Sequence, residues 1–554
     1  MSAAVLLSTE EFFAPVSSDL VDGLVGQYRA ERAKVEEIAS YFSDTRYRVA
    51  VNNFIEGSRD SFSRFAPEPS AIFDLSKALP ILNATYWDRA LKMTDVLNVM
   101  PQKRRDEWFE QINNPQGKKR KGHNNEWDVL PIPEFTEEAV RSTLGDLLLS
   151  RGKFFAERVD GIFRGLSRTH VTNCPQGFSK RMIIAGAITS YDTVNTSTAG
   201  LINDLRCIVA KFMGRDDPHY TSTDAAMKVI RRRNGEWVSL DAGNLRMRIY
   251  NGVGTAHLEV HPEMAWRLNA ILANLYPAAI PSEFREKPKR KIKDFVLMER
   301  PLPFLVIEAL AGLEEARELN PIKGYRVDTF IRIHNAREFR RHSTDKHVTA
   351  EAEQVLLSIG GVKTEKGYFQ FDYDPDEVIG EIVCSGCIPD HKSHQFYPTP
   401  RELAQRVIDL ADIMPGHTCL EPSAGTGGLA DLVPTCRHMT CIEISELHAT
   451  ILRAKGHYAL TGDFLKAADL TQNATFDRVV MNPPFDQGRW RAHLEAAASM
   501  LTADGRLVAI LPSGAKTAMD LLPGFRLHWH GPYDNQFPGA SVSVVILVAE
   551  RAAA

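Results

Sequence analysis

Between residues 417 and 548, short β-branched runs alternate with helical stretches: His417 to Leu420, Met439 to Ile444, Arg478 to Met481, Arg506 to Leu511, and a closing SVSVVILV at 541–548. A parallel neighbour can be reached only through a crossover, so strands separated by helices predict a doubly wound, mostly parallel α/β sheet. FRLHWH (525–530) and the closing run have only a short link between them. That predicts an antiparallel hairpin at the sheet edge.

The preceding region has another texture. Val21, Leu24, Tyr28, Val35, Ile38 and Phe42 recur at helical steps from Ser18 to Phe42, and Tyr86, Ala90, Leu91 and Leu97 form a second stripe after Asn83. Asn113 to Asn125 is polar and reads as a loop. Alternating runs between Glu236 and Glu259 predict a small antiparallel sheet. Helices are expected at Met264 to Leu275 and Phe304 to Leu319, and a hairpin at Val362 to Tyr373. The expected division is a large, mostly helical α+β region over 1–383, a linker over 384–395 and the parallel-sheet domain over 396–554.

With 44% hydrophobic and 25% charged residues the chain has material for several cores, which excludes disorder as its main state. A formal net charge of −4 argues neither for nor against a polyanionic partner. Seven cysteines, an odd and sparse set, speak against a secreted disulfide framework. The N-terminus lacks a signal-like basic start and no apolar run is long enough to span a bilayer, so a cytoplasmic protein without membrane contact is expected.

Chemistry concentrates where the runs end. LEPSAGTGGLA (420–430) is an acidic residue followed by a glycine-rich turn, and Gly425, Gly427 and Gly428 let backbone approach a ligand closely. Glu443 closes the second run, where a carboxylate can take both hydroxyls of a ribose. Asp463 in GDFL (462–465) fits a helix cap and a ligand contact equally well. In FDRVVMNPPFDQG (476–488), Pro483 and Pro484 cannot continue a strand, so Asn482 is held at its end and Phe485 just beyond. An amide oxygen, a proline-preceded carbonyl and a flat ring suit a planar substrate with an exocyclic amine.

FYPTP (396–400), EPSAGTG (421–427), EIS (443–445), GDFL and NPPF (482–485), in this order, resemble the S-adenosylmethionine-dependent DNA adenine-N6 methyltransferases. The resemblance covers about residues 390 to 554 and implies a Rossmann-like class I methyltransferase sheet. It implies that Phe396, Tyr397 and Thr399 border the methionine moiety of the cofactor. Glu421, Pro422, Ser423, Gly425 and Gly427 would hold its amino-acid and sulfonium region, Glu443 and Ile444 its ribose, and Asp463 with Phe464 its adenine. Asn482, Pro483, Pro484 and Phe485 would hold the target amine and stack on the base. The implied partner is DNA, as a duplex with a flipped adenine or as a single strand. Cytosine N4, an RNA base, a protein glutamine, or an idle DNA-binding decoy are the alternatives. Thr399-Pro400-Arg401-Glu402 also reads as a capping box with proline at the first helical position.

With few residues beyond SVSVVILV and about 20 between NPPF and the next strand, target recognition is expected in the N-terminal region or in another subunit, with a homodimer also open. Residues 82–112 and 138–163 resemble an uncharacterised domain that accompanies adenine methyltransferases on prophages and plasmids, which implies a role in guarding mobile DNA from restriction. Basic clusters that suit DNA lie at Lys103, Arg104 and Arg105, at Lys118, Lys119, Arg120 and Lys121, at Arg231, Arg232 and Arg233, and at Lys287, Lys289, Arg290, Lys291 and Lys293. Trp108, Trp127 and Trp237 are candidate stacking residues. Cys384, Cys387, His391 and His394 carry zinc-ligand types at too close a spacing for a zinc finger, and a linker is the plainer reading. His257, Glu259 and His261 would share a strand face and read as a polar sheet surface. No metal is called for.

Overall fold

The computed structural model describes residues 18–57, 72–94, 96–119, 127–128, 132–287, 298, 301–319, 330–339, 345–388, 397–466, 471, 474–537 and 542–552. By its contacts the chain divides into two compact units: residues 1–187, 195–217 and 259–292, and residues 188–194, 218–258 and 293–554.

The first unit is helical. The expected amphipathic stretch is the helix Ser18–Ser43, and its Leu24, Val25 and Tyr28 pack with Tyr86, Trp87, Ala90 and Leu91 of the helix Leu75–Lys92. Asn83 clamps the chain ahead of the helix Glu137–Leu149, accepting from Phe135 N at 2.6 Å and donating to Pro133 O at 2.8 Å. Trp108 is half-buried against this core, 5.8 Å from Trp87. The polar stretch 113–125 is not wholly loop. Asn113 closes the helix Gln102–Asn113, and Lys118–Lys119 pairs with Trp127–Asp128 as a short antiparallel ribbon.

In the second unit, Val238–Leu240 pairs antiparallel with Leu245–Tyr250, as foreseen from alternation. The stretch 304–319, expected as one helix, is a helix over Phe304–Ala311 followed by a strand over Glu314–Leu319. Gly312 stops the helix, and EEAREL then alternates with Ala316 turned inward, pairing antiparallel with Phe330–Glu338. The hairpin at 362–373 forms with Val362–Lys363 against Phe369–Gln370. The linker expected from 384 begins inside the helix Asp376–Ser385, with Cys384 and Cys387 both buried.

The C-terminal strands are β1 (Thr418–Pro422), β2 (His438–Glu443), β3 (Tyr458–Thr461), β4 (Phe476–Met481), β5 (Leu501–Pro512), β6 (Phe525–Asp534) and β7 (Ser543–Arg551). Their order across the sheet is β3-β2-β1-β4-β5-β7-β6. Strands β1 to β5 are parallel, and β7 inserts antiparallel between β5 and β6, so the edge hairpin is present. This is the Rossmann-like sheet expected. Helices flank it: α1 (Arg401–Ala411) packs Leu403, Val407 and Ile408 on one face, and α3 (Arg489–Ser499) packs Leu494 and Ala497 on the other, with α2 (Glu446–Ala454) after β2. The strand order reverses at the parallel β1/β4 pair, which opens a crevice beyond the carboxyl ends of both strands. Among the described residues no helix is long and apolar enough to cross a membrane. All seven cysteines are free thiols.

Candidate active site

A cavity of about 1010 Å³ occupies that crevice, lined by the ends of β1 to β4 and by the segments around them. The turn after β1 is tight enough that Ser423 and Gly425 both take φ of 56° and Gly427 a φ of 93°. Glu421 lines the cavity, yet the residue is only 3% exposed and its carboxylate accepts from Ala430 N at 2.7 Å. Burial pushes this carboxyl well above its ordinary value. Glu443, on the adjacent strand, behaves oppositely. Burial works to raise it, but His448 beside it and the N–H groups of Ser445 and Gly425, each donating at 2.8 Å, outweigh that and hold it below the usual range. Two carboxyls at neighbouring strand ends are thus pushed apart, one toward the neutral acid and one toward the anion.

At the end of β3, Asp463 Oδ1 accepts from Leu465 N at 3.1 Å, a turn-capping bond, while the residue also lines the cavity. Asp463 thus caps the turn and also faces the cavity. Phe464 is buried beneath it and reaches the cavity wall, 5.5 Å from the His493 ring. At the end of β4, Asn482, Pro483, Pro484 and Phe485 all line the cavity. Asn482 Nδ2 donates to Thr399 Oγ1 at 3.1 Å. The capping box expected at Thr399 is therefore not made: Pro400 is the cap residue of α1 and no side chain bonds there, because the threonine oxygen faces Asn482 instead.

Most residues named from sequence meet in this one cavity, including Tyr397, Thr399, Glu421, Ser423, Gly425, Glu443, Ile444, Asp463, Phe464 and the whole NPPF turn. Pro422 and Gly427 do not line it. Gly427 matters locally, since a side chain there would meet Asp431 Oδ1 at 2.9 Å and Leu452 at 3.1 Å. Phe396, His391 and His394 lie outside the described residues. Sequence reading missed Arg489 and His493, one turn apart on α3, and Phe537 and Val542 ahead of β7. The first two had a signal, because the opening turn of a helix after a strand end faces the crevice. Phe537 had none. His493 is 7% exposed, shares a hydrogen bond of 3.2 Å with Ser423 Oγ, and is shifted down by burial.

The basic clusters separate on inspection. Arg105 lies 3.6 Å from the buried Asp204, and the exposed Arg104 lies 3.6 Å from Glu157. Arg231 binds Asp192 at 2.6 Å, Arg233 binds the buried Glu381 at 2.9 Å, and Arg232 remains exposed. Trp237 carries the guanidinium groups of Arg246 and Arg248 at 5.2 and 4.5 Å. Lys287 lies 3.7 Å from Glu263. Arg120, Lys121, Lys289, Arg290, Lys291 and Lys293 lie outside the described residues, as does the side chain of Lys103. His257, Glu259 and His261 do not form a ligand set. His257 packs on Tyr250, Glu259 binds Arg181 at 2.7 Å, and His261 Nδ1 accepts from Glu263 N at the start of the helix Pro262–Leu275. Among the described residues no group of three or more potential metal ligands is present.

Residues 80–278 match a family model described as a domain of unknown function (DUF4942). No curated protein matches the chain significantly. Similar solved structures include TrmN from Thermus thermophilus, 25% identical with a TM-score of 0.24 over 27% of this chain and 49% of that one. The match thus spans about half the length of TrmN. The 23S rRNA methyltransferase ErmE is 22% identical with a TM-score of 0.23, over 28% of this chain and 70% of that one. The ribosomal protein L11 methylase from Lactobacillus delbrueckii subsp. bulgaricus is 17% identical with a TM-score of 0.22, over 27% and 78%.

Proposed function

We propose that the crevice binds S-adenosylmethionine and that the chain transfers its methyl group to the exocyclic N6 amine of adenine in DNA. The observation that carries this reading is that the Asn482 amide, tied at its nitrogen to Thr399, opens onto the same cavity as Glu443 and the glycine turn. The residues fit the cofactor. Each oxygen of Glu443 accepts one backbone N–H and keeps a lone-pair direction for a ribose hydroxyl, and the shift toward the anion strengthens that acceptor. Ile444, 60% exposed, and Phe464 supply apolar walls for a purine, with Asp463 beside them. Bound there, S-adenosylmethionine supplies a methyl group on a sulfonium centre, which needs no metal and no covalent enzyme intermediate.

The chain's own residues then make a poor nucleophile reactive. An adenine amine is flattened by delocalisation into its ring. Asn482 Oδ1 and the Pro483 carbonyl accept its two hydrogens, which draws the nitrogen toward a tetrahedral shape and frees its lone pair. These acceptors are fixed before the substrate arrives, Asn482 by Thr399 and the turn by two prolines, so little reorganisation is needed. Phe485 and Phe537 offer apolar ring surface to the base. In a duplex the amine is paired and stacked, so the base leaves the helix at a cost of a few kcal/mol, partly offset by that stacking. DNA so marked would resist nucleases that require the unmodified adenine, which suits the role implied by the N-terminal resemblance.

The test is transfer of a labelled methyl group to unmethylated DNA by the full chain, followed by digestion to nucleosides. N6-methyladenine is expected, reduced about a hundredfold or more in Asn482→Ala with cofactor binding retained. Label in N4-methylcytosine, RNA or protein would overturn the acceptor. An Asn482→Ala variant as active as the parent would overturn the site.

A further inference from the structure

Thr399 stands where two halves of the cavity wall meet. Its hydroxyl oxygen accepts from Asn482 Nδ2, 83 residues away in sequence. On its other side it lies against the glycine turn: a Cβ on Gly428 would fall 3.3 Å from Thr399 Cβ and 3.5 Å from both its N and its Oγ1. The first of these is closer than most Cβ contacts, so Thr399 would have to give by a few tenths of an ångström, while the other two are ordinary contact. That closeness gives a physical reason for the third glycine of the turn, whose backbone takes no left-handed φ and so does not need glycine on conformational grounds.

An asparagine amide has two ends of nearly equal size and opposite hydrogen-bonding sense. Asn482 accepts a hydrogen bond from a target amine only when its oxygen, not its nitrogen, faces that amine. The neighbour that chooses between the two ends is therefore as consequential as the amide. We propose that Thr399 is a positioning residue that sets the flip state of the Asn482 amide, and that Gly428 is the clearance that lets it do so. A hydroxyl that accepts one hydrogen bond retains its own proton to donate. Because Thr399 lines the cavity, that proton is open to an acceptor on a bound ligand, and once it is so engaged the hydroxyl can only accept from Asn482, which fixes the flip state of the amide.

What the oriented amide does rests on the amine-methyltransferase reading; the orientation itself does not, and the experiment separates the two. In the full chain, Thr399→Val removes the hydroxyl at nearly constant volume, Thr399→Ser keeps it, and Gly428→Ala presses on the same residue. Three quantities are followed: kcat and KM on DNA, the S-adenosylmethionine Kd, and the side-chain amide resonances of Asn482 in asparagine-labelled protein, assigned by their loss in Asn482→Asp. The valine variant is expected to lose about 10- to 100-fold in kcat at saturating cofactor and to bind S-adenosylmethionine more weakly, with KM on DNA within about threefold of the parent and with shifted amide resonances. Serine should recover both signals, and Gly428→Ala should fall between. Unchanged resonances in the valine variant, or a serine variant as impaired as valine, would overturn the proposal. If the parent methylates no DNA yet valine shifts the resonances and serine restores them, the positioning role stands and the reaction assigned to the site falls.

Discussion

Glu421 and Glu443 end adjacent strands and are pushed in opposite directions, and each direction has a consequence for pH. A carboxyl raised by burial, as Glu421 is, contributes stability that is fully present below its unfolded value, near 4.3, and is lost as pH rises through the folded value. A carboxyl held low, as Glu443 is, contributes stability that is present above the unfolded value and lost as pH falls through the folded one. Glu421→Gln should therefore flatten the decline of Tm as pH rises above the unfolded value of about 4.3, and thermal melts of parent and variant over a rising pH series check it. A parallel decline in both proteins would show that Glu421 is ionised in the fold. Glu443→Gln should instead soften unfolding on the acid side.

At the scale of elements, the ion pair between Arg233, at the end of the helix Tyr220–Arg232, and Glu381, inside the helix Asp376–Ser385, alters how the 231–233 cluster is understood. Glu381 is buried and its carboxyl is raised by that burial, with Arg233 opposing the shift. Removing the arginine leaves a buried acid without its cation. Arg233→Ala should destabilise by about 1–3 kcal/mol in denaturant titration, while Arg232→Ala, on an exposed neighbour, should stay within about 0.5 kcal/mol. Equal effects from the two would mean that the pair contributes nothing. The Phe304–Leu319 stretch makes a related point. Its first half is apolar enough for a helix, but a glycine and an alternating tail hand the second half to a strand whose partner lies beyond residue 329.

For the molecule as a whole, a net charge of −4 leaves DNA contact to local clusters. Contact through lysine and arginine displaces counterions, so affinity of the full chain for duplex DNA should fall linearly with the logarithm of salt concentration. Replacing Lys118, Lys119, Arg120 and Lys121 together by glutamine should shallow that slope by about 3.6 if all four touch phosphate. A slope unchanged by the replacement would remove this ribbon from the interface.

Much of the parallel-sheet region was legible in the chain itself. Period and β-branching set where β1 to β5 lie, because a strand buried on both faces must be apolar throughout, and prolines and glycines set where they end. Residues at strand ends point into one crevice in any sheet of this kind, so Glu421, Glu443, Asp463 and Asn482 could be named together. Tertiary structure alone decided the rest. Thr399 turns from a cap to Asn482, His493 reaches Ser423 from 70 residues away, and Phe537 arrives from the loop before β7. The arginines of 231–233 find acids at 192 and 381, and Glu421 becomes a buried acid. Each of these depends on which distant groups share a dry space. Local periodicity records the face that a residue presents, and carries nothing about the group that will meet it there.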